Sequence, residues 1–277
     1  MTPASILITG CSSGIGLATA LTLKQRGYRV FAGVRKVTDI EKLKEQGLEA
    51  IPLDVTDTHS QEKAIEIILQ KTGGTLSALF NNAGFLVAGA IEDVSDELIQ
   101  SQFATNFFGV ISLTRLVLPI MRKQGHGRII QNSSILGIIT MPYYGAYNAS
   151  KFALEGFSNT LRQELRGSGI HVAILNLGPI HSKLREHSFE TYQHTLAKKN
   201  TSLHIHAYKK LETSYFHPDK KNRSLMGNPK IVMADIIHAL ESRRPNIHYY
   251  VGFPIKFLVF LKRILPEQFF DWLLTKI

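Results

Sequence analysis

One cysteine, one tryptophan and no long uninterrupted apolar run characterise this chain of 277 residues. The lone Cys11 cannot close an intrachain disulfide, and there is no C-x-x-C pair, which excludes a disulfide scaffold and a zinc ribbon. A reducing, cytoplasmic compartment suits such a chain. The apolar stretch from Phe253 to Ile277 is interrupted by Lys256, Lys262, Arg263, Glu267 and Asp271, so it falls short of the ~18 apolar residues that a spanning helix needs. The first β-type run begins at Ser5 and leaves no space for a secretory leader. Acidic residues are scarce where the chain is most basic. Residues 1–182 carry net +2, whereas residues 183–277 carry net +8. No zinc-finger spacing, RNP-type aromatic run or basic heptad array accompanies this excess, so nucleic acid is not an expected partner. Six histidines lie between His181 and His217, but their spacing is irregular and no H-E-x-x-H occurs, so no metal site is expected.

Short β-branched runs alternate with helical stretches, the pattern of a parallel sheet covered by helices on both faces. Strands are predicted at Ser5–Thr9, Arg29–Val34, Glu49–Asp54, Ala78–Asn81, Arg128–Asn132, His171–Leu175 and His248–Val251. Helices are predicted near Gly14–Arg26, Ile40–Gln46, Gln61–Lys71, Asp96–Lys123, Tyr144–Gly167 and Lys230–Arg243. The class is α/β: a single doubly wound, Rossmann-type domain over residues 1–252 with a parallel seven-stranded sheet. Two segments depart from the alternation. Lys183–Asn228 has poor periodicity and is expected to be a structureless insertion that shapes a lid or binding loop. Residues 253–277 read as an amphipathic helical extension, one or two short helices beginning at Pro254 and Pro266. Its apolar residues, Phe253, Phe257, Phe260, Ile264, Phe269 and Trp272 among them, have two uses. They pack over a pocket or a second subunit, or they dock at the inner face of a membrane with Lys256, Lys262, Arg263 and Lys276 toward anionic headgroups.

The turn after the first strand reads Thr9-Gly10-Cys11-Ser12-Ser13-Gly14-Ile15-Gly16. Glycines at a strand-to-helix turn let backbone approach a pyrophosphate, which then meets the N–H groups and positive end of the helix. An acidic residue at the end of the second strand would hold an adenine ribose and repel a 2′-phosphate. Here that end reads Gly33-Val34-Arg35-Lys36, which favours NADP(H) over NAD(H). Tyr147 and Lys151 are one turn apart on a predicted helix, so they share a face, and the lysine cation is expected to lower the phenol pKa from about 10. Tyr147 is then a candidate general acid and base. Ser134 ends the fifth strand, 13 residues earlier, and its hydroxyl can donate to an oxygen on which charge develops. Ser133 should face the other way.

Thr9 to Gly16, Asp54, Asn81-Asn82-Ala83-Gly84, Asn106, Ser134 and Tyr147-Asn148-Ala149-Ser150-Lys151 together resemble the short-chain dehydrogenase/reductase family, in the branch of hydroxysteroid and retinol dehydrogenases and bacterial aldehyde reductases. The resemblance implies that Asn106 carries a water to the lysine, that Asp54 and Val55 flank the adenine, and that Asn82, Ala83 and Gly84 line the ribose side. It further implies that Lys151 holds the nicotinamide ribose and that Pro179, Ile180 and Ser182 approach the carboxamide. The family commonly has Pro-Gly-x-x-x-Thr there, and this chain has Leu177-Gly178-Pro179-Ile180-His181-Ser182. The expected activity is interconversion of an alcohol with an aldehyde or ketone on a small apolar substrate, by a homodimer or homotetramer, with Phe152 and Phe157 available to a subunit contact. A 3-oxoacyl thioester reductase acting on a carrier, and a non-catalytic NADP sensor, are the alternatives.

Overall fold

The computed structural model describes residues 4–180, 183–196, 202–216, 227–252 and 255–274. Apolar runs buried on both sides become seven strands: β1 Ser5–Thr9, β2 Arg29–Val34, β3 Glu49–Pro52, β4 Ala78–Asn81, β5 Gly127–Ser134, β6 Ile170–Leu177 and β7 His248–Val251. All pair in parallel, in the order β3-β2-β1-β4-β5-β6-β7. The order reverses between β1 and β4, which opens a crevice at the carboxyl ends of those strands. Side chains alternate as the pleat requires. Ile6 and Ile8 point into one core with α1 (Gly14–Gln25), and Leu7 points into the opposite core with Leu113 and Val117.

The remaining early helices are α2 Val37–Glu45, α3 Thr58–Thr72, α4 Asp96–Phe103, α5 Gly109–Gln124 and α6 Gly145–Glu164. Asp57 caps α3 by accepting from the His59 N–H at 2.9 Å, so that helix starts three residues before its apolar period. α4 and α5 are one continuous run joined by a π turn, Ala104–Phe108. By length and composition this run could cross a membrane, and its inner side buries Asn106, Leu113, Thr114, Val117 and Met121 in the protein. Three strand predictions need correction. β3 stops at Pro52, which places Asp54 in the following loop, and β5 and β6 run on to Ser134 and Leu177 through buried polar residues that an apolar pattern does not register.

The insertion is helical where described, contrary to the structureless reading. It forms α7 Leu184–Thr195 and α8 Ile205–Leu211, the latter continuing as a π turn, Glu212–Phe216. Its buried side joins the aromatics Tyr192, Tyr208 and Phe216 to Leu196 and Leu211, with Ser188 buried among them, so the sequence shows no sustained aliphatic period. Polar clamps fasten it to the loop before α4. Tyr208 donates to Asp93, Ser202 donates to Asp93 at 2.5 Å, and His204 meets Glu92 at 2.5 Å.

A short 3₁₀ turn, Pro229–Val232, leads into α9 Met233–Glu241. Beyond β7 come α10 Ile255–Ile264 and α11 Glu267–Leu274, with Pro266 just ahead of the second and Pro254 outside the described residues. Ile255, Leu258, Val259, Phe270 and Leu274 are buried in one cluster with Leu86, Leu136, Tyr147, Tyr192 and Phe216. Tail, insertion and the start of α6 therefore share a third core. Phe157 packs edge-on against Phe107 and is half-buried, and Phe152 lies beneath the Lys262 ammonium while remaining exposed.

Candidate active site

Gly10 adopts φ +71° to turn the chain out of β1, and a Cβ at Gly16 would collide with the Gly10 carbonyl. α1 has no acidic residue in its first turn, and the Ser13 hydroxyl makes no capping bond. Its first N–H groups are left to an external anion. Cys11 is fully buried with Sγ 3.2 Å from the Ile8 carbonyl, and burial pushes its thiol well above the usual range. It is a packing residue.

Thr9 and Asn82 tie the strand ends together. Thr9 Oγ1 accepts from the N–H groups of Asn82 and Ala83, each at 2.9 Å. Asn82 Nδ2 donates to the carbonyls of Thr9 (2.8 Å) and Gly10 (3.1 Å), and its Oδ1 accepts from Asn132 at 3.0 Å. This brace borders a cleft of about 750 Å³. Gly10, Ser12, Ser13, Gly14, Ile15, Arg35, Asp54, Val55, Asn82, Ala83 and Gly84 all line it, and Leu184, His187, Glu190 and Thr191 of α7 form the opposite wall. Arg35 and Lys36 are exposed at its edge, and Arg35 has no hydrogen bond or ion pair among the described residues. Asp54 Oδ1 accepts from the Thr56 N–H and hydroxyl at 2.9 and 2.7 Å, holding the loop after β3.

Not every expected cofactor residue lines that cleft. Gly16 is buried beneath the turn, where it permits close packing. Pro179 accepts from the Gly227 N–H at 2.9 Å, and Ile180 packs toward the α1 core. Ser182 lies outside the described residues.

At the carboxyl edge of β5, the Ser134 hydroxyl caps the 3₁₀ turn Ile135–Gly137, accepting from the Leu136 N–H at 3.1 Å, and donates to the Leu177 carbonyl at 3.5 Å. Tyr147 lies in the first turn of α6, and Lys151 follows one turn later with Nζ 5.6 Å from the phenol ring centroid. Both are buried. Lys151 Nζ donates to the Asn132 carbonyl at 2.7 Å. Burial pushes the Lys151 ammonium down to about 8, opposed by the charge of Glu155. The expected lowering of the Tyr147 phenol by that lysine is not what the geometry gives. Burial pushes the phenol up, with the Ser134 hydroxyl opposing and Tyr215 reinforcing. The lysine stands over the ring face and directs its proton to a carbonyl instead.

Asn106 sits in the π turn and is 1% exposed. Its Oδ1 accepts from the Phe85 N–H at 3.0 Å, and its Nδ2 donates to the Phe85 carbonyl at 2.9 Å and to Ser150 Oγ at 3.3 Å. A Cβ placed on Gly84 would lie 3.1 Å from Asn106 Oδ1 and 3.9 Å from Lys151 Nζ. Asn106 and Lys151 thus meet on either side of a glycine that lines the cleft.

Two groups near the site were missed by sequence reasoning. Glu155 is buried one turn beyond Lys151, and its Oε1 accepts from Ser133 (2.6 Å) and Asn176 (2.5 Å). His248 Nδ1 lies 3.0 Å from Asn176 Oδ1 and 3.7 Å from Glu155 Oε2. The Lys151 to Glu155 spacing was visible, but the partners arrive from β6 and β7 and only space reveals them. The second group is an aromatic ceiling. Tyr215 stacks edge-on with Tyr144 at 5.5 Å, and the Arg185 guanidinium sits 4.7 Å over the Tyr215 ring.

A doubly wound parallel sheet with a glycine turn at its switch point defines a dinucleotide-binding type of protein. The family model for short chain dehydrogenases matches residues 4–193, and the chain belongs to that family of oxidoreductases. It is 37% identical over 270 residues to the uncharacterized oxidoreductase YbbO of Escherichia coli (strain K12), covering 98% of this chain and 93% of the relative. Human 17-beta-hydroxysteroid dehydrogenase type 1 is 30% identical over 257 residues, with 88% of this chain and 76% of the relative covered. The crystal structure of a short-chain dehydrogenase from Streptomyces avermitilis superposes with a TM-score of 0.78 at 26% identity, covering 95% of this chain and 93% of the other.

Proposed function

We propose that the protein is an NADP(H)-dependent oxidoreductase that interconverts an alcohol with an aldehyde or ketone on an apolar substrate. The observation that carries this reading is the Ser134, Tyr147 and Lys151 set at the mouth of β5, beside the glycine-turn cleft and beneath an aromatic ceiling. The glycine cradle and the uncapped first turn of α1 fit a pyrophosphate. The exposed Arg35 and Lys36 at the cleft edge fit a 2′-phosphate. When bound, the nicotinamide supplies or accepts the hydride.

The chain's own residues handle the proton. Tyr147, protonated at neutral pH, gives its proton to the substrate oxygen, and Ser134 donates a hydrogen bond to that oxygen as negative charge gathers. Lys151 and Asn106 hold the polar end of the site around Gly84. A phenol held protonated by burial suits reduction of a carbonyl, since the reverse reaction must first remove that proton. Tyr144, Tyr215, Phe189, Leu86 and Leu136 make the surrounding cluster apolar, in keeping with an uncharged lipophilic substrate.

The test is a panel of retinoids, steroids, aliphatic aldehydes and β-ketoacyl thioesters, assayed with NADPH and with NADH. Tyr147→Phe should lower kcat by roughly 10²- to 10⁴-fold while NADPH still binds. Arg35→Ala should weaken NADPH by roughly ten- to a hundredfold and leave NADH nearly unchanged, the loss of one charge-assisted contact. Activity of Tyr147→Phe within tenfold of wild type overturns the acid assignment, and equal loss of both cofactors overturns the role of Arg35.

A further inference from the structure

The two tail helices bury one face and display another. In α10 the buried residues are Ile255, Leu258 and Val259, while Phe257, Phe260 and Ile264, spaced by three and four, form an outward stripe. In α11 the buried residues are Phe270 and Leu274, and Phe269 and Trp272 point outward with rings stacked 5.5 Å apart. Each of these five outward side chains is more than half exposed. Lys256 and Arg263, two turns apart, are exposed along one edge of the α10 stripe. Glu267 and Asp271 are one turn apart on the side of α11 away from Phe269 and Trp272. The patch is therefore apolar in its middle and basic at its border.

We propose that this outward face of α10 and α11 docks on the surface of an anionic lipid bilayer. Charge decides between a bilayer and a second copy of the chain. A twofold contact through the same patch would place two basic-bordered surfaces face to face, since Glu267 and Asp271 lie away from the patch and offer it no counter-charge. An anionic headgroup layer instead complements Lys256 and Arg263, within the part of the sequence, residues 183–277, that carries net +8. Phenylalanine and tryptophan rings suit the boundary between headgroups and acyl chains, where an amphipathic helix lies in the plane of the interface. Packing over the pocket and docking on a membrane are not competing uses of the tail, because the two uses fall on opposite faces of the same helices. The proposal does not depend on the identity of the substrate.

The experiment is co-sedimentation of the full chain with vesicles of phosphatidylcholine alone and of phosphatidylcholine mixed with phosphatidylglycerol, at low and high salt. Two variants accompany it, Phe257→Ser/Phe260→Ser/Trp272→Ser and Lys256→Glu/Arg263→Glu. All five positions are exposed, and turnover of a water-soluble carbonyl verifies that each variant is folded. The expected result is that wild type pellets with the anionic vesicles at low salt, that high salt releases it, and that each variant loses partitioning by about tenfold or more. Wild type remaining in the supernatant overturns the proposal, as does binding of either variant at the wild-type level. A dimer in sedimentation velocity that the triple serine variant abolishes, without vesicle binding by wild type, assigns the face to subunit contact and overturns it too.

Discussion

Glu155 is a carboxylate that helix α6 carries one turn past Lys151 and that Ser133 and Asn176 fix by hydrogen bonds. Its negative charge is what keeps the Lys151 ammonium from falling further under burial. The other polar groups at Lys151 are the Asn132 carbonyl and the Tyr147 ring, neither of which carries a charge at neutral pH. Glu155→Gln should therefore move the lysine pKa below its present value of about 8, because the cation loses its counter-charge. If turnover requires the cation, the alkaline limb of kcat/KM should move by about one pH unit toward acid, the scale of a single nearby charge. A pH profile that falls at the same alkaline point in both proteins would remove Glu155 from the chemistry and leave it a packing role. Burial holds the Glu155 carboxyl above its ordinary range, against the pull of Ser133, Asn176 and Lys151.

At the scale of elements, the lid formed by α7 and α8 sets its aromatics into the third core and is pinned to the loop before α4 by a few polar contacts. Tyr208 donates to Asp93 and accepts from the Ala90 N–H at 3.2 Å. Tyr208→Phe should cost the closed lid about 1.5–3 kcal/mol, the worth of a hydrogen bond to a charged group. Amide exchange in residues 205–216 should then quicken by roughly ten- to a hundredfold, with KM for the carbonyl raised. Unchanged exchange would show that the aromatic contacts alone hold the lid.

This lid is also where the sequence was least legible. Four of the seven strands, β1, β2, β4 and β7, were bounded in full from their apolar runs, because their polar residues, Ser5, Thr9, Arg29, Asn81 and His248, fall at the strand ends. β5 and β6 were cut short since Ser133, Ser134 and Asn176 are buried polar residues that pair across strands. The glycine turn and the Ser134, Tyr147 and Lys151 set were readable, being local in the chain or fixed by spacing. Glu155's network, Tyr215 and Arg185 were not, since each takes its meaning from residues brought in from β6, β7 or the lid.

In the whole molecule, two of the three cores sandwich the sheet and the third roofs its carboxyl edge. The roof draws on α7, α8, α10 and α11, and only its inner side reaches Tyr147. Helix α7 belongs to both halves of the site. Leu184, His187, Glu190 and Thr191 wall the nucleotide cleft, while Tyr192 enters the cluster around Tyr147. A nucleotide seated against one side of α7 therefore fixes the ceiling over the other, and a carbonyl compound entering first would meet a roof that is not yet set. The two substrates should add in compulsory order, nucleotide before carbonyl, with the alcohol leaving ahead of the spent nucleotide. Product inhibition patterns read that order directly: the oxidised nucleotide should compete with the reduced one alone, and the alcohol should compete with neither. Symmetric patterns for both products would mean that the shared helix leaves the two halves independent.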